Sequence, residues 1–107
     1  MNYKKKAPIK DTARAFLKGY ELVFGDDKSE EDVTRGMEYL KLAASTGDGK
    51  AAETLGLIYR SGTETITQDF YQATIWYMKA VMNGNKRAVQ GNIFTFRQAF
   101  KIKRAKA

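Results

Sequence analysis

The chain is predicted to be all-α: two helical hairpins of like build and a closing helix, about five helices in all. Three observations predict this. The sequence matches itself at a shift of 37 residues, apolar residues recur at helical spacing, and no stretch alternates as a strand would. The self-match puts Asp11, Asp48 and Asn85 in one phase, with Gly19 over Gly56, Gly25 over Gly62 and Gly47 over Gly84. Tyr39-Leu40-Lys41-Leu42-Ala43 lies over Trp76-Tyr77-Met78-Lys79-Ala80. A period of this length marks one supersecondary unit copied and stacked.

The first helix is expected to open at Asp11, after Pro8, the only proline, and to close at Gly25. Ser29-Glu30-Glu31-Asp32 resembles a capping box for a second helix, which Gly47 closes. Asp48 is an apt N-cap for the third, in which Ala51, Ala52, Leu55, Ile58 and Tyr59 keep helical spacing up to a Gly62 C-cap. A loop over 61–67 leads to a fourth helix, expected from about 68 to 83. Ala73, Trp76, Tyr77, Ala80 and Val81 should face inward there, and Gly84 should end it. Asn85 opens a fifth, with Val89, Ile93, Phe96 and Phe100 at i, i+4, i+7 and i+11; it fades into the lysine-rich end. Small residues sit where paired helices must approach: Gly19 and Gly56 on first helices, Gly36 with Ala73 and Ala43 with Ala80 on second ones. Glycine inside a helix costs about 1 kcal/mol relative to alanine, so its return at one phase implies close packing. The organisation is a single domain over 1–107: repeat one 11–47, repeat two 48–84, closing helix 85–103, basic tails 1–10 and 104–107.

Composition narrows the function. The chain has no Cys and no His, which removes thiolate chemistry, disulfides, sulfur-ligated metals and the commonest general base. Residues 1–10 show no apolar run after their lysines, and 75–82, the most apolar stretch, is too short to span a bilayer. A soluble, cytoplasmic protein without membrane contact is the expectation. Charge is uneven: 1–18 and 86–107 hold 13 of the 19 Lys and Arg but only one acid, Asp11. The middle is acidic.

The pattern Ala51-x-x-x-Leu55-Gly56-x-x-Tyr59-x-x-Gly62, then Asp69-x-x-x-Ala73-x-x-Trp76-Tyr77-x-x-Ala80-x-x-x-Gly84, resembles the sel-1-like repeat, a longer-loop relative of the tetratricopeptide repeat. The likeness is strong over 48–84. Over 11–47, Lys18 replaces a leucine and Leu22 a tyrosine; after Asn85, Ile93 stands in the glycine slot. The resemblance implies a right-handed α-solenoid whose first helices line a concave face, serving as adaptor or scaffold. Some cysteine-rich members of the family look like secreted proteins with penicillin-binding activity; this chain lacks their paired cysteines, so that activity does not carry over.

On that geometry, residues one past the glycine slot face the concavity: Tyr20, Leu57 and Phe94. Three further on stand Val23, Arg60 and Arg97, and three before the slot Phe16, Glu53 and Gln90. The expected groove is an apolar ladder flanked by the guanidinium pair Arg60 and Arg97, suited to a peptide bearing a carboxylate. The alternative is that Leu57 and Phe94 pack between repeats. On the fifth helix Phe94 and Phe96 lie about 200° apart, so one face should bury and at least one Phe should point elsewhere, toward a partner or a second copy in a homodimer.

The basic ends, Lys4-Lys5-Lys6 and Lys101-x-Lys103-Arg104-x-Lys106, give the second functional reading, a nucleic-acid-associated protein bound electrostatically. Against it stand the acidic middle and the lack of a recognition motif. The acids fall mostly at helix starts, where capping accounts for them, and Gly47-Asp48-Gly49-Lys50 reads as a helix junction, not a phosphate loop. No catalytic, cofactor-binding or metal residues are expected, and no cofactor. The reading is a non-enzymatic small adaptor, or an inhibitor or immunity-type protein, binding its partner through Phe16, Tyr20, Glu53, Leu57, Arg60, Gln90, Phe94 and Arg97.

Overall fold

The computed structural model describes residues 9–26 and 28–106, with side chains between 11 and 101. It has five α-helices: α1 (Ile9–Phe24), α2 (Glu30–Ser45), α3 (Gly49–Ser61), α4 (Phe70–Met82) and α5 (Ala88–Lys106). The described residues contain no strand. α1 packs along α2 and α3 along α4; α2 joins the hairpins through α3, and α5 lies on α4 with a lesser contact to α3.

The 37-residue period reappears in the backbone. Gly25 N–H donates to Glu21 O, and Gly62 N–H to Ile58 O, both at 2.7 Å. At the junction after each hairpin, Asp48 N–H donates to Ala43 O (3.1 Å) and Asn85 N–H to Ala80 O (2.9 Å). Gly47 and Gly84 take φ of 107° and 94° there, a left-handed conformation that side chains with a Cβ resist. Helix ends also obey the period: Phe24 maps to Ser61, and Ser45 to Met82. Helix starts do not. α4 begins three residues later than α2 would place it, because its first turn is given over to the loop. In that loop Thr63 Oγ1 accepts from Thr65 and Ile66 N–H, Gln68 Nε2 donates to Arg60 O, and Asp69 N–H donates to Tyr59 O.

The caps follow the residues. Ser29 and Asp32 form a reciprocal capping box. Asp48 Oδ1 accepts from Lys50 and Ala51 N–H, and Asp69 Oδ1 from Gln72 N–H. Asp11 differs from expectation: the helix already contains Ile9, so Asp11 lies in the first turn and favours the positive dipole end without capping it. Pro8 and the first basic cluster lie outside the described residues. α5 starts three residues after Asn85 through i to i+3 bonds such as Ala88 N–H to Asn85 O, and it stays helical to Lys106 instead of fading.

The core is built of Val23, Leu40, Leu55, Ile58 and Tyr77 among small residues that let the helices close up. A Cβ on Gly19 would lie 2.8 Å from Gly36 O and 2.9 Å from Leu40 Cγ. Thirty-seven residues on, a Cβ on Gly56 would lie 2.8 Å from the Tyr77 ring. Leu40 and Tyr77 thus do the same work in successive hairpins. Each such side chain contributes about 1.5–3 kcal/mol by burial.

Two assignments, Val81 and Val23, need correction. Val81, expected to face inward, is 38% exposed, whereas Ala44, 37 residues earlier, is fully buried. Trp76 does face inward, half-buried and packed against the core. Val23, expected to face a groove, is 1% exposed and sits in the core, where Gly36 approaches its Cγ2.

Candidate protein-binding face

Every predicted ladder residue is substantially open to solvent: Tyr20 48%, Leu57 44% and Phe94 47%. Tyr20 and Phe94 sit in two separate clusters. On α1, Tyr20 stacks at a tilt on Phe16 (centroids 5.9 Å apart) and on Phe24 (4.7 Å), three aromatics at i, i+4 and i+8. Phe24 was missed by reasoning that looked only at repeat phase. Its spacing from Tyr20 would have revealed it, since i and i+4 side chains share a helix face.

The second cluster joins α3 to α5. The Arg60 guanidinium carbon lies 4.8 Å from the Phe94 ring centroid and 6.0 Å from that of Tyr77. Its charge therefore rests on aromatic faces, an arrangement worth about 0.5–1 kcal/mol at an exposed site. Phe94 is thus engaged by a cation while half of it remains open. Tyr77, buried beneath, has its hydroxyl pKa raised above the ordinary 10.0, chiefly by burial; Arg60 lowers it and Glu53 raises it further.

Glu53 ties α3 to the segment that follows α4. Its Oε1 accepts from Asn85 Nδ2 (2.9 Å) and from Arg87 Nη2 (2.9 Å), while Asn85 Nδ2 also reaches Gly49 O at 3.2 Å. Two side chains that follow α4, Asn85 and Arg87, thereby fasten to the first half of α3 through three hydrogen bonds. Gln90 and Arg97 are exposed on α5. The structure therefore brings Phe16 to Tyr20 and Arg60 to Phe94, and commits Glu53 to an internal staple. Leu57 lies exposed on α3 one residue past Gly56.

A sizeable cleft lies elsewhere. About 540 Å³ opens between α2 and the 63–66 loop, lined by Glu30, Glu31, Glu38, Met37, Tyr59 and Ile66, and it includes none of the predicted site residues. Among the described residues no three acidic side chains converge as a metal site would require, and no helix is long and apolar enough to cross a membrane.

On the fifth helix one face buries and Phe residues point elsewhere, as the spacing of Phe94 and Phe96 predicts. Val89, Ile93, Phe96 and Phe100 are 41%, 44%, 71% and 62% exposed, whereas Ala88 and Thr95 are fully buried and Gly91, Asn92 and Ala99 half-buried. The helix docks through its small and polar side and turns its apolar stripe outward. No family model, curated protein or solved structure matches this chain.

Proposed function

We propose that the chain is a non-enzymatic protein-binding module of sel-1-like build, a small adaptor or an inhibitor of immunity type. In this reading the first helices α1, α3 and α5 form the concave side of a short right-handed solenoid. A peptide segment of another protein lies across Tyr20, Leu57 and Phe94. Arg60 and Arg97 receive a carboxylate of that segment. The observation that carries the reading is the shared exposure of those three apolar residues, one on each first helix at the same repeat phase. Arg60 suits the role because a guanidinium stacked on Phe94 keeps its in-plane N–H donors for a carboxylate.

The test is affinity capture from the native cell extract with the wild-type chain, Leu57→Glu and Arg60→Ala/Arg97→Ala. Leu57 is 44% exposed, so Leu57→Glu should shift stability by no more than about 0.5 kcal/mol while abolishing capture of the partner. A variant that unfolds, or that captures as wild type does, removes the groove. The second reading, electrostatic nucleic-acid binding through the basic ends, rests on the cation-rich, acid-free sequence after Asp69. A catch that disappears on nuclease treatment would support it.

A further inference from the structure

The stripe that α5 turns outward has a definite place in the repeat. On α1 the stripe Ala15, Gly19, Leu22 meets α2: a Cβ on Gly36 would lie 2.8 Å from Leu22 Cβ and one on Gly19 2.8 Å from Gly36 O. On α3 the corresponding stripe is Ala52, Gly56 and Tyr59, of which Gly56 lies against the Tyr77 ring of α4. A further shift of 37 residues gives Val89, Ile93 and Phe96 on α5. Here no second helix follows in the described chain, and the three are 41%, 44% and 71% exposed. α5 seats itself by the neighbouring stripe Ala88, Gly91, Thr95 and leaves this one uncovered. Each substitution along the phase enlarges or retains apolar surface: Ala to Val, Gly to Ile, Tyr to Phe. A stripe meant only for water would carry polar residues instead.

Charge selects the occupant. From 70 to 107 the sequence has no Asp or Glu, and α5 alone carries Arg97, Lys101, Lys103, Arg104 and Lys106. Pairing α5 with its counterpart in a second copy would set two acid-free, cationic helices side by side, which is repulsive at low salt. We propose that Val89, Ile93 and Phe96 dock an acidic amphipathic helix of another protein, in the position that the second helix of a third hairpin would take. This surface lies on a different stripe from the Tyr20, Leu57 and Phe94 groove and does not depend on it.

The chain itself supplies a probe. A labelled peptide copying residues 29–46 carries Glu30, Glu31, Asp32 and Glu38 and the face that already packs on the α1 stripe. Fluorescence anisotropy with the full chain at low salt should show saturable binding. Reversing Glu31 and Glu38 to Lys in the peptide, or Phe96→Asp in the chain, should weaken it about tenfold or more. Added salt should weaken it as well. Phe96 is 71% exposed, so Phe96→Asp should keep the wild-type melting curve, and Tyr71→Asp on α4, 75% exposed, should leave binding intact. The proposal is overturned by no binding, by equal binding of both peptides, or by binding that Phe96→Asp does not change. It is also overturned if light scattering shows a wild-type dimer that Phe96→Asp dissociates, since the occupant would then be a second copy.

Discussion

Tyr77 rests its ring against Gly91 so closely that a Cβ on the glycine would stand 2.7 Å from Tyr77 Cε1. Gly56 meets the same ring, at 2.8 Å from Cδ1. One aromatic side chain, 2% exposed, thereby joins α3, α4 and α5, and two glycines make room for it.

Gly91→Ala is therefore expected to invert the usual helix rule. At an open helical position alanine is better than glycine by about 1 kcal/mol. Here overpacking against a buried ring should destabilise by about 1–3 kcal/mol, and Gly56→Ala should do the same. Urea denaturation decides it; a variant more stable than wild type would show that the ring has room to retreat.

Asn85→Asp should also go against simple propensity. Aspartate caps helices as well as asparagine does, and Asp48 stands at the equivalent place one repeat earlier. Yet Asn85 Nδ2 donates to Glu53 Oε1 at 2.9 Å, so a carboxylate would face a carboxylate. The expected loss is about 1–3 kcal/mol, and Glu53→Gln should recover most of it. Equal losses in both backgrounds would mean that the Glu53 contact is not the cause.

The buried Tyr77 hydroxyl sets an alkaline limit. Its pKa in the folded chain is raised above 10.0, chiefly by burial, so the folded state holds the proton at pH values where the unfolded chain releases it. Stability from this group is complete below pH 10.0 and declines as pH rises through that value toward the folded pKa. Melting temperatures measured on either side of pH 10 should fall with alkalinity, less steeply in Tyr77→Phe. An identical slope in the variant would assign the decline to other groups.

Much of the architecture was legible because it depends on local chemistry. Ser29, Asp48 and Asp69 cap helices by contacts within three residues, and Gly47 and Gly84 take backbone angles that favour glycine. Gly19 and Gly36 were readable as close-approach positions because a helix tolerates glycine poorly without a packing gain. Of the candidate site, the resemblance set Tyr20, Leu57 and Phe94 toward a concave face, with packing of Leu57 and Phe94 between repeats as the alternative, and all three are substantially exposed. Their actual neighbours were not: Phe24 beside Tyr20, Arg60 above Phe94, and Glu53 fastened to Asn85 all follow from distances between helices or faces. Periodicity could not say which side of α5 docks, since Val89, Ile93 and Phe96 form a better apolar stripe than the side that is buried.

The order of residues by itself determined an all-α chain with five helices and the 37-residue spacing of their ends, because capping and turn chemistry act over a few residues. Only the tertiary structure decided which surfaces those helices bury. α5 could seat Ala88, Gly91 and Thr95 on α4 because the Tyr77 ring already filled the space that a larger side chain would need. That competition for volume is settled between helices and leaves no mark in the pattern of any one of them.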